Sequence, residues 1–149
     1  MFVTKIFTFD SAHFLTNYYG KCERMHGHTY TLEVTLEGDV QSNGLIIDFV
    51  VLKRIVKKHV LDKLDHQTLN DVIENPSAER VVLWIWDQLK DLPKLLEAEQ
   101  DDPNLGEDIQ KYFKAEDGKD FQKMDFGKTL RLHELKLWET ATSCVVYRG

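Results

Sequence analysis

Cysteine is scarce in this chain of 149 residues: only Cys22 and Cys144 are present, far apart in the sequence. One possible bridge is no disulfide framework, so a reducing, cytoplasmic setting is expected. No Cys-x-x-Cys pair exists from which a closed structural zinc site could be built. Long apolar runs are also missing. The start, MFVTKIFTFD, has no extended hydrophobic segment, and nowhere do about eighteen apolar residues run together, so neither export nor a membrane span is expected. Basic charge is in deficit: Lys and Arg total 19 against 25 for Asp and Glu, a net charge of -6. That balance excludes a general nucleic-acid binder whose affinity rests on neutralising phosphates. Repeats and low-complexity tracts are absent. What is there is 42% hydrophobic and 30% charged, enough for one core, and the expectation is a single domain over residues 1–149.

The charge deficit is local. Nine acidic residues and three lysines lie between Glu97 and Asp120, which accounts for the whole net charge. Clear periodicity is lost in the same stretch, so it reads as an acidic surface insertion at about 97–120. The remainder of the chain is balanced, and the net charge therefore does not count against a phosphorylated small-molecule substrate.

Hydrophobic periodicity orders the elements. Phe2 to Phe9 alternates as a strand leading to Ser11-Ala12-His13. From His26 the alternation is clean, with Tyr30, Leu32, Val34 and Leu36 on one parity and Thr31, Glu33, Thr35 and Glu37 on the other. Leu52, Ile55, Val56, Val60 and Leu64 recur at helical spacing over about 48–64. Asn75-Pro76-Ser77 opens a second helix carrying Val81, Ile85, Leu89 and Leu92, which closes near Pro93. Trp84 and Trp86 widen its apolar surface beyond one stripe. Leu130 to Leu137 and Cys144 to Tyr147 read as two more strands, separated by a break after Trp138-Glu139-Thr140. The order strand, strand, helix, helix, strand, strand predicts an α+β fold: a four-stranded antiparallel sheet with two helices on one face. So small an open sheet has edges to protect, which favours association with further copies.

His26-Gly27-His28 is the sharpest local signal. Residues two apart on a strand point to one side, and these two share parity with Tyr30 and Leu32, on the apolar face. Gly27 is expected to permit close approach of a bulky ligand set. Neutral imidazoles gathered in a partly dry place need something to bind their lone pairs, and zinc is the commonest occupant. A His-x-His pair alone is equally what two hydrogen-bonded histidines at a strand start look like. His13 adds a third nitrogen from the end of the preceding strand, giving three ligands and an open fourth position, the catalytic pattern. His59 and His133 have no such neighbours and read as structural.

Cys22 lies in a loop between Lys21 and Arg24, whose charges favour the thiolate and would make it a usable base or nucleophile. Inert packing is the alternative for a lone cysteine. Asp65-His66 can act together in a loop, the carboxylate orienting the imidazole for proton transfer, although many adjacent pairs are solvated loop residues. Glu139 can accept paired hydrogen bonds from a guanidine-like ring edge or can cap a turn.

Together, FDSAH at 9–13, Cys22-Glu-Arg-Met-His26-Gly-His28, Ile47-Asp48-Phe49, Leu64-Asp65-His66, Asn75-Pro-Ser-Ala-Glu79 and Trp138-Glu139-Thr140 closely resemble the 6-pyruvoyltetrahydropterin synthase and 6-carboxy-5,6,7,8-tetrahydropterin synthase family. The match spans nearly the whole chain outside the acidic stretch. The short spacer between Cys22 and His26 is similar to the carboxy-tetrahydropterin branch, which serves queuosine precursor synthesis. The resemblance implies a T-fold whose subunits join sheets into a barrel, as a homo-hexamer made of two trimers. It further implies a Zn2+ ion held by His13, His26 and His28, Cys22 as the base that removes a carbon-bound proton, His66 oriented by Asp65 as the second acid–base group, and Glu139 as the anchor of the pterin ring. The implied substrate is 7,8-dihydroneopterin triphosphate. The implied products are 6-carboxytetrahydropterin, acetaldehyde and triphosphate.

One feature keeps other reactions in view. Glu23 stands beside Cys22, and in a related branch a glutamate of this loop replaces the cysteine and changes which side-chain bond is cut. A pyruvoyl-type lyase or a folate-branch, aldolase-like lyase on the same pterin class is thus the rival within the fold. From another class, the rival is a non-catalytic, zinc-stabilised pterin-binding oligomer.

Overall fold

The computed structural model describes residues 1–16, 18–41, 44–100 and 129–149. Strand β1 (Phe2–His13) and strand β2 (His26–Glu37) pair antiparallel along their full length, from Phe2 opposite Glu37 to His13 opposite His26. This register follows from the alternation. A slip of one residue would turn Phe7, Phe9, Tyr30 and Leu32 from the core to the outer face. β4 (Arg131–Thr140) pairs antiparallel with β2, and β5 (Ser143–Tyr147) with β4. These are the four expected antiparallel strands. A fifth, β3 (Gln67–Thr68), adds two residues parallel to Ser11 and Ala12 of β1, so that the order across the sheet is β3-β1-β2-β4-β5. β4 ends at Thr140 and β5 begins at Ser143, so the break expected after Trp138-Glu139-Thr140 is the turn that joins the two strands.

Helices cover one face. Helix α1 (Phe49–Val56) starts where the Asp48 carboxylate accepts a hydrogen bond from the Val50 amide at 2.6 Å, a cap worth about 0.5–2 kcal/mol. It continues through a π-helical turn (Lys57–Leu61) into the short α2 (Asp62–Leu64), so the expected single helix over 48–64 carries an irregular turn. Helix α3 (Ala78–Leu89) is capped by Ser77. Leu52, Ile55, Val81, Ile85 and Leu89 meet Phe9, Tyr30, Leu32 and Leu135 in one buried cluster. Trp86 packs edge-on against Tyr147 of β5 with ring centroids 5.1 Å apart, which accounts for the second apolar flank of this helix. None of the helices among the described residues is long and apolar enough to cross a membrane.

The segment after α3 departs from expectation. A third helix, α4 (Leu92–Gln100), follows at once. Pro93 lies in its first turn, where a missing amide hydrogen costs nothing, and so does not mark the end of the preceding helix. Residues 101–120 of the expected insertion lie outside the described residues. Of its first residues, Glu99 is buried rather than solvated: Arg54 Nε donates to one carboxylate oxygen and Lys58 Nζ to the other, both at 2.5 Å. Burial pushes the Glu99 carboxyl up, but the hydrogen bonds from Lys58 and Arg54 outweigh it and hold the group below the usual glutamate range. Its stabilisation is therefore complete above the unfolded-state value and is lost as the pH falls through the lower folded-state value. Glu99→Gln is expected to cost about 1–3 kcal/mol near neutral pH, less than for a fully buried pair because both cations keep solvent contact, and to flatten the acid limb of the stability curve. Urea unfolding at several pH values checks this; equal stability and an equal acid limb for both proteins would refute it.

Candidate metal centre and active site

The pairing of β1 with β2 brings the histidines together at one end of the sheet. His13 and His26 are direct partners, and His28 sits two residues on, opposite Ser11. One ring nitrogen from each of the three lies within 4.8 Å of the others. His13 is 1% exposed, and His26 and His28 are half-buried. His13 Nδ1–H donates to the Pro76 carbonyl at 2.8 Å, and His26 Nδ1–H donates to the Arg24 carbonyl at 2.8 Å. A carbonyl can only accept, so in the neutral form of each ring the proton sits on Nδ1 and Nε2 carries a lone pair. These two Nε2 atoms stand 3.0 Å apart. Two lone pairs at that distance repel unless a cation lies between them, whereas nitrogens on one tetrahedral zinc ion lie about 3.3 Å apart. Burial lowers the His28 pKa; Glu139 opposes this and the neighbouring His13 and His26 rings add to it, leaving the imidazole below its ordinary range. The donor set, its tautomers and its outer hydrogen bonds thus fit a divalent metal of imidazole preference.

The carbonyl that orients His13 arrives on a loop sewn to the end of β1. The Asp65 carboxylate accepts from the Asp10 amide at 2.9 Å, the His66 amide donates to Asp10 O at 2.6 Å, and Ser11 Oγ donates to Leu64 O at 2.5 Å. Asn70 bonds Phe14 through both its amide groups, and Asn75 Oδ1 accepts from the Thr16 amide. His66 and Asn75 both have positive φ, 58° and 47°, conformations that these residue types adopt more readily than most. At His66 that geometry sets the ring beside its neighbour, Nδ1 to Asp65 Oδ1 at 2.9 Å. The hydrogen bond from the Asp10 backbone holds the Asp65 carboxyl below the usual aspartate range, and the contact with His66 adds to this.

Two cavities flank the histidines. Cys22, on a single 3-10 turn (Lys21–Glu23), lines one of about 450 Å³ together with His13 and Glu139. Glu139 reaches it from β4, with Oε1 3.7 Å from His13 Nε2. His66 lines the other, of about 630 Å³, together with His28. Cys22 and Glu139 thus share a cavity with His13, and His66 shares a separate one with His28; Asp65 lines neither. The Tyr30 ring lies 5.6 Å from that of His28 and stacks on Phe9 at 5.0 Å. Its hydroxyl has no partner among the described residues, and burial, then Glu139, raise its pKa. Gly27 is not sterically required: a Cβ there would meet Ser11 O at 3.5 Å, an ordinary contact. His59 and His133 lie away from the cluster.

Sequence reasoning assigned Pro76, Arg24 and Asn70 no role at the histidine cluster. The first two act through backbone carbonyls, which leave no mark on residue type. Asn75 was visible only as a helix-start signal.

A sheet covered by helices on one face, with three imidazoles converging at the end of two paired strands, defines a T-fold protein with a metal-type histidine centre. Solved structures show the same fold: 6-pyruvoyl tetrahydropterin synthase of Caenorhabditis elegans aligns over 100% of this chain and 95% of its own, with a TM-score of 0.67 at 21% identity. A sequence profile described as 6-pyruvoyl tetrahydropterin synthase matches residues 2–117. The chain is 33% identical to the 6-carboxy-5,6,7,8-tetrahydropterin synthase of Haemophilus influenzae, over 98% of this chain and 97% of the relative. It is 40% identical to a dihydroneopterin monophosphate aldolase of Pyrococcus furiosus, over 58% of this chain and 73% of that one. The chain belongs to the 6-pyruvoyl tetrahydropterin synthase family.

Proposed function

We propose that the protein is a zinc-dependent carbon–carbon lyase that converts 7,8-dihydroneopterin triphosphate and one water to 6-carboxytetrahydropterin, releasing acetaldehyde and triphosphate. The observation that carries this reading is the cavity in which Cys22, Glu139 and His13 meet, with His66 in a second cavity that His28 also lines. His13, His26 and His28 would hold the metal. When bound, the ion supplies Lewis-acid stabilisation of negative charge developing on the substrate side chain.

The chain's own groups supply the rest. Glu139 accepts paired hydrogen bonds from the guanidine-like edge of the pterin and so orients the ring. Cys22 takes a carbon-bound proton from one face of the side chain. His66, its Nδ1–H donating to Asp65, moves a proton at Nε2 on the opposite face, so that removal and return of protons need no rotation of the bound substrate. A homo-hexamer built as two trimers is the expected assembly.

The carboxy product is favoured by the relative that matches over nearly the whole chain, and by the placement of Cys22 in the cavity. Glu23, on the same turn, is exposed and is not among the residues lining that cavity. The aldolase relative in Pyrococcus furiosus keeps a hydroxymethyl-pterin product as the second reading. Chromatographic separation of 6-carboxytetrahydropterin, 6-pyruvoyltetrahydropterin and 6-hydroxymethyl pterin after incubation with the triphosphate decides between them; absence of the carboxy product would overturn the assignment. Asp65→Asn is expected to lower kcat about 100-fold through loss of the oriented imidazole, with KM changed little. An unchanged kcat would remove the pair from the mechanism.

A further inference from the structure

We propose that Tyr18 is the aromatic wall on which the flat ring of the substrate stacks, and that Gly20 positions it; this rests on the pterin reading above. Tyr18 is the one Phe, Tyr or Trp side chain among the residues lining the cavity of Cys22, His13 and Glu139. Glu139 offers that cavity an edge contact for a heterocycle, but an edge contact alone leaves both faces of a bicyclic ring in water. A ring-sized apolar surface is what such a ligand lacks, and an aromatic face provides it for any flat conjugated system.

The loop is built to hold this ring at the cavity. Leu15 N–H donates to Cys22 O at 2.8 Å, Gly20 N–H to Tyr18 O at 3.0 Å, and Glu23 N–H to Gly20 O at 3.2 Å. Tyr18 is thereby tied to the turn that carries Cys22. The Tyr18 ring lies directly on Gly20: a Cβ at that position would stand 2.7 Å from Tyr18 Cε1, so any larger residue displaces the ring. Tyr18 is 48% exposed, so part of its ring is open to a ligand. Its neighbour Tyr19 is fully exposed and lines no part of the cavity, which makes it an internal control.

The test uses the metal-loaded protein and pterin without a C6 side chain, whose fluorescence is quenched on stacking, so that the readout concerns ring recognition alone. Tyr18→Ala and Tyr18→Leu are expected to weaken pterin binding about 5- to 100-fold, with metal content and circular dichroism unchanged; the leucine variant keeps apolar bulk and loses only the flat face. Tyr18→Phe and Tyr19→Ala are expected to bind within about twofold of the wild type. Gly20→Ala is expected to weaken binding in the wild type but to add nothing in the Tyr18→Ala background, because the two act as a unit. With the triphosphate substrate, Tyr18→Ala raises KM and leaves kcat nearly unchanged. Pterin binding by Tyr18→Ala equal to that of a wild type that does bind pterin overturns this inference alone. Failure of the wild type to bind pterin overturns the functional reading and this inference with it.

Discussion

Replacing Cys22 by alanine is expected to abolish turnover while the metal stays bound. The thiol lines the cavity beside His13 and Glu139 but is not one of the three converging imidazoles, so its loss removes a proton acceptor without removing a ligand. General-base catalysis contributes about 10²–10⁴-fold, and kcat should fall by that factor with metal content and pterin affinity near wild type. Substrate carbon–hydrogen exchange with solvent deuterium, followed by NMR, gives an independent readout, since it reports the first proton removal directly. A variant that retains turnover or exchange would exclude Cys22 as the base. Cys22→Ser belongs beside it, because a hydroxyl matches the thiol in size but not in acidity. If the serine protein matches the alanine protein, acidity is the operative property.

His26→Ala is expected to reduce bound metal to background and to lower kcat/KM by at least about 10³-fold, the scale of several kcal/mol of lost charge stabilisation. His26 suits this test better than His13. It is half-buried, whereas His13 is enclosed and donates to the Pro76 carbonyl, so that its removal also leaves a buried acceptor without a partner. The fold should survive either metal loss or chelation. The core formed by Phe9, Tyr30, Leu32, Leu52, Ile55 and Ile85 is contiguous without the histidines, and the cluster sits at one end of two twelve-residue strands rather than between layers. A chelated protein that keeps its circular dichroism but loses turnover supports a catalytic metal. Unfolding on chelation would instead support the zinc-stabilised, non-catalytic binding protein.

Much of this arrangement was legible along the chain, for reasons that differ from residue to residue. The meeting of His13, His26 and His28 follows from strand periodicity and one antiparallel register, both written in the alternation of Phe7, Phe9, Tyr30 and Leu32. The helical spacing of Leu52, Ile55 and Val56 was equally plain. Glu99 was misplaced among solvated acids, because its burial depends on Arg54 and Lys58, which lie more than forty positions earlier on another helix. Pro93 suggested a helix end but lies in a first turn, since proline is compatible with both and only the packing of Leu92 and Leu96 decides.

The sequence by itself determined the α+β fold class, the identity of the three imidazoles and the short spacing that ties Cys22 to them, because these rest on local periodicity and on side-chain chemistry. Only the tertiary structure decided which imidazole nitrogens are free, since Pro76 and Arg24 act through carbonyl groups that every residue carries. It alone put Cys22 and His66 in two separate cavities, one lined by His13 and the other by His28, because their separation depends on how the loop after α2 returns to the end of β1.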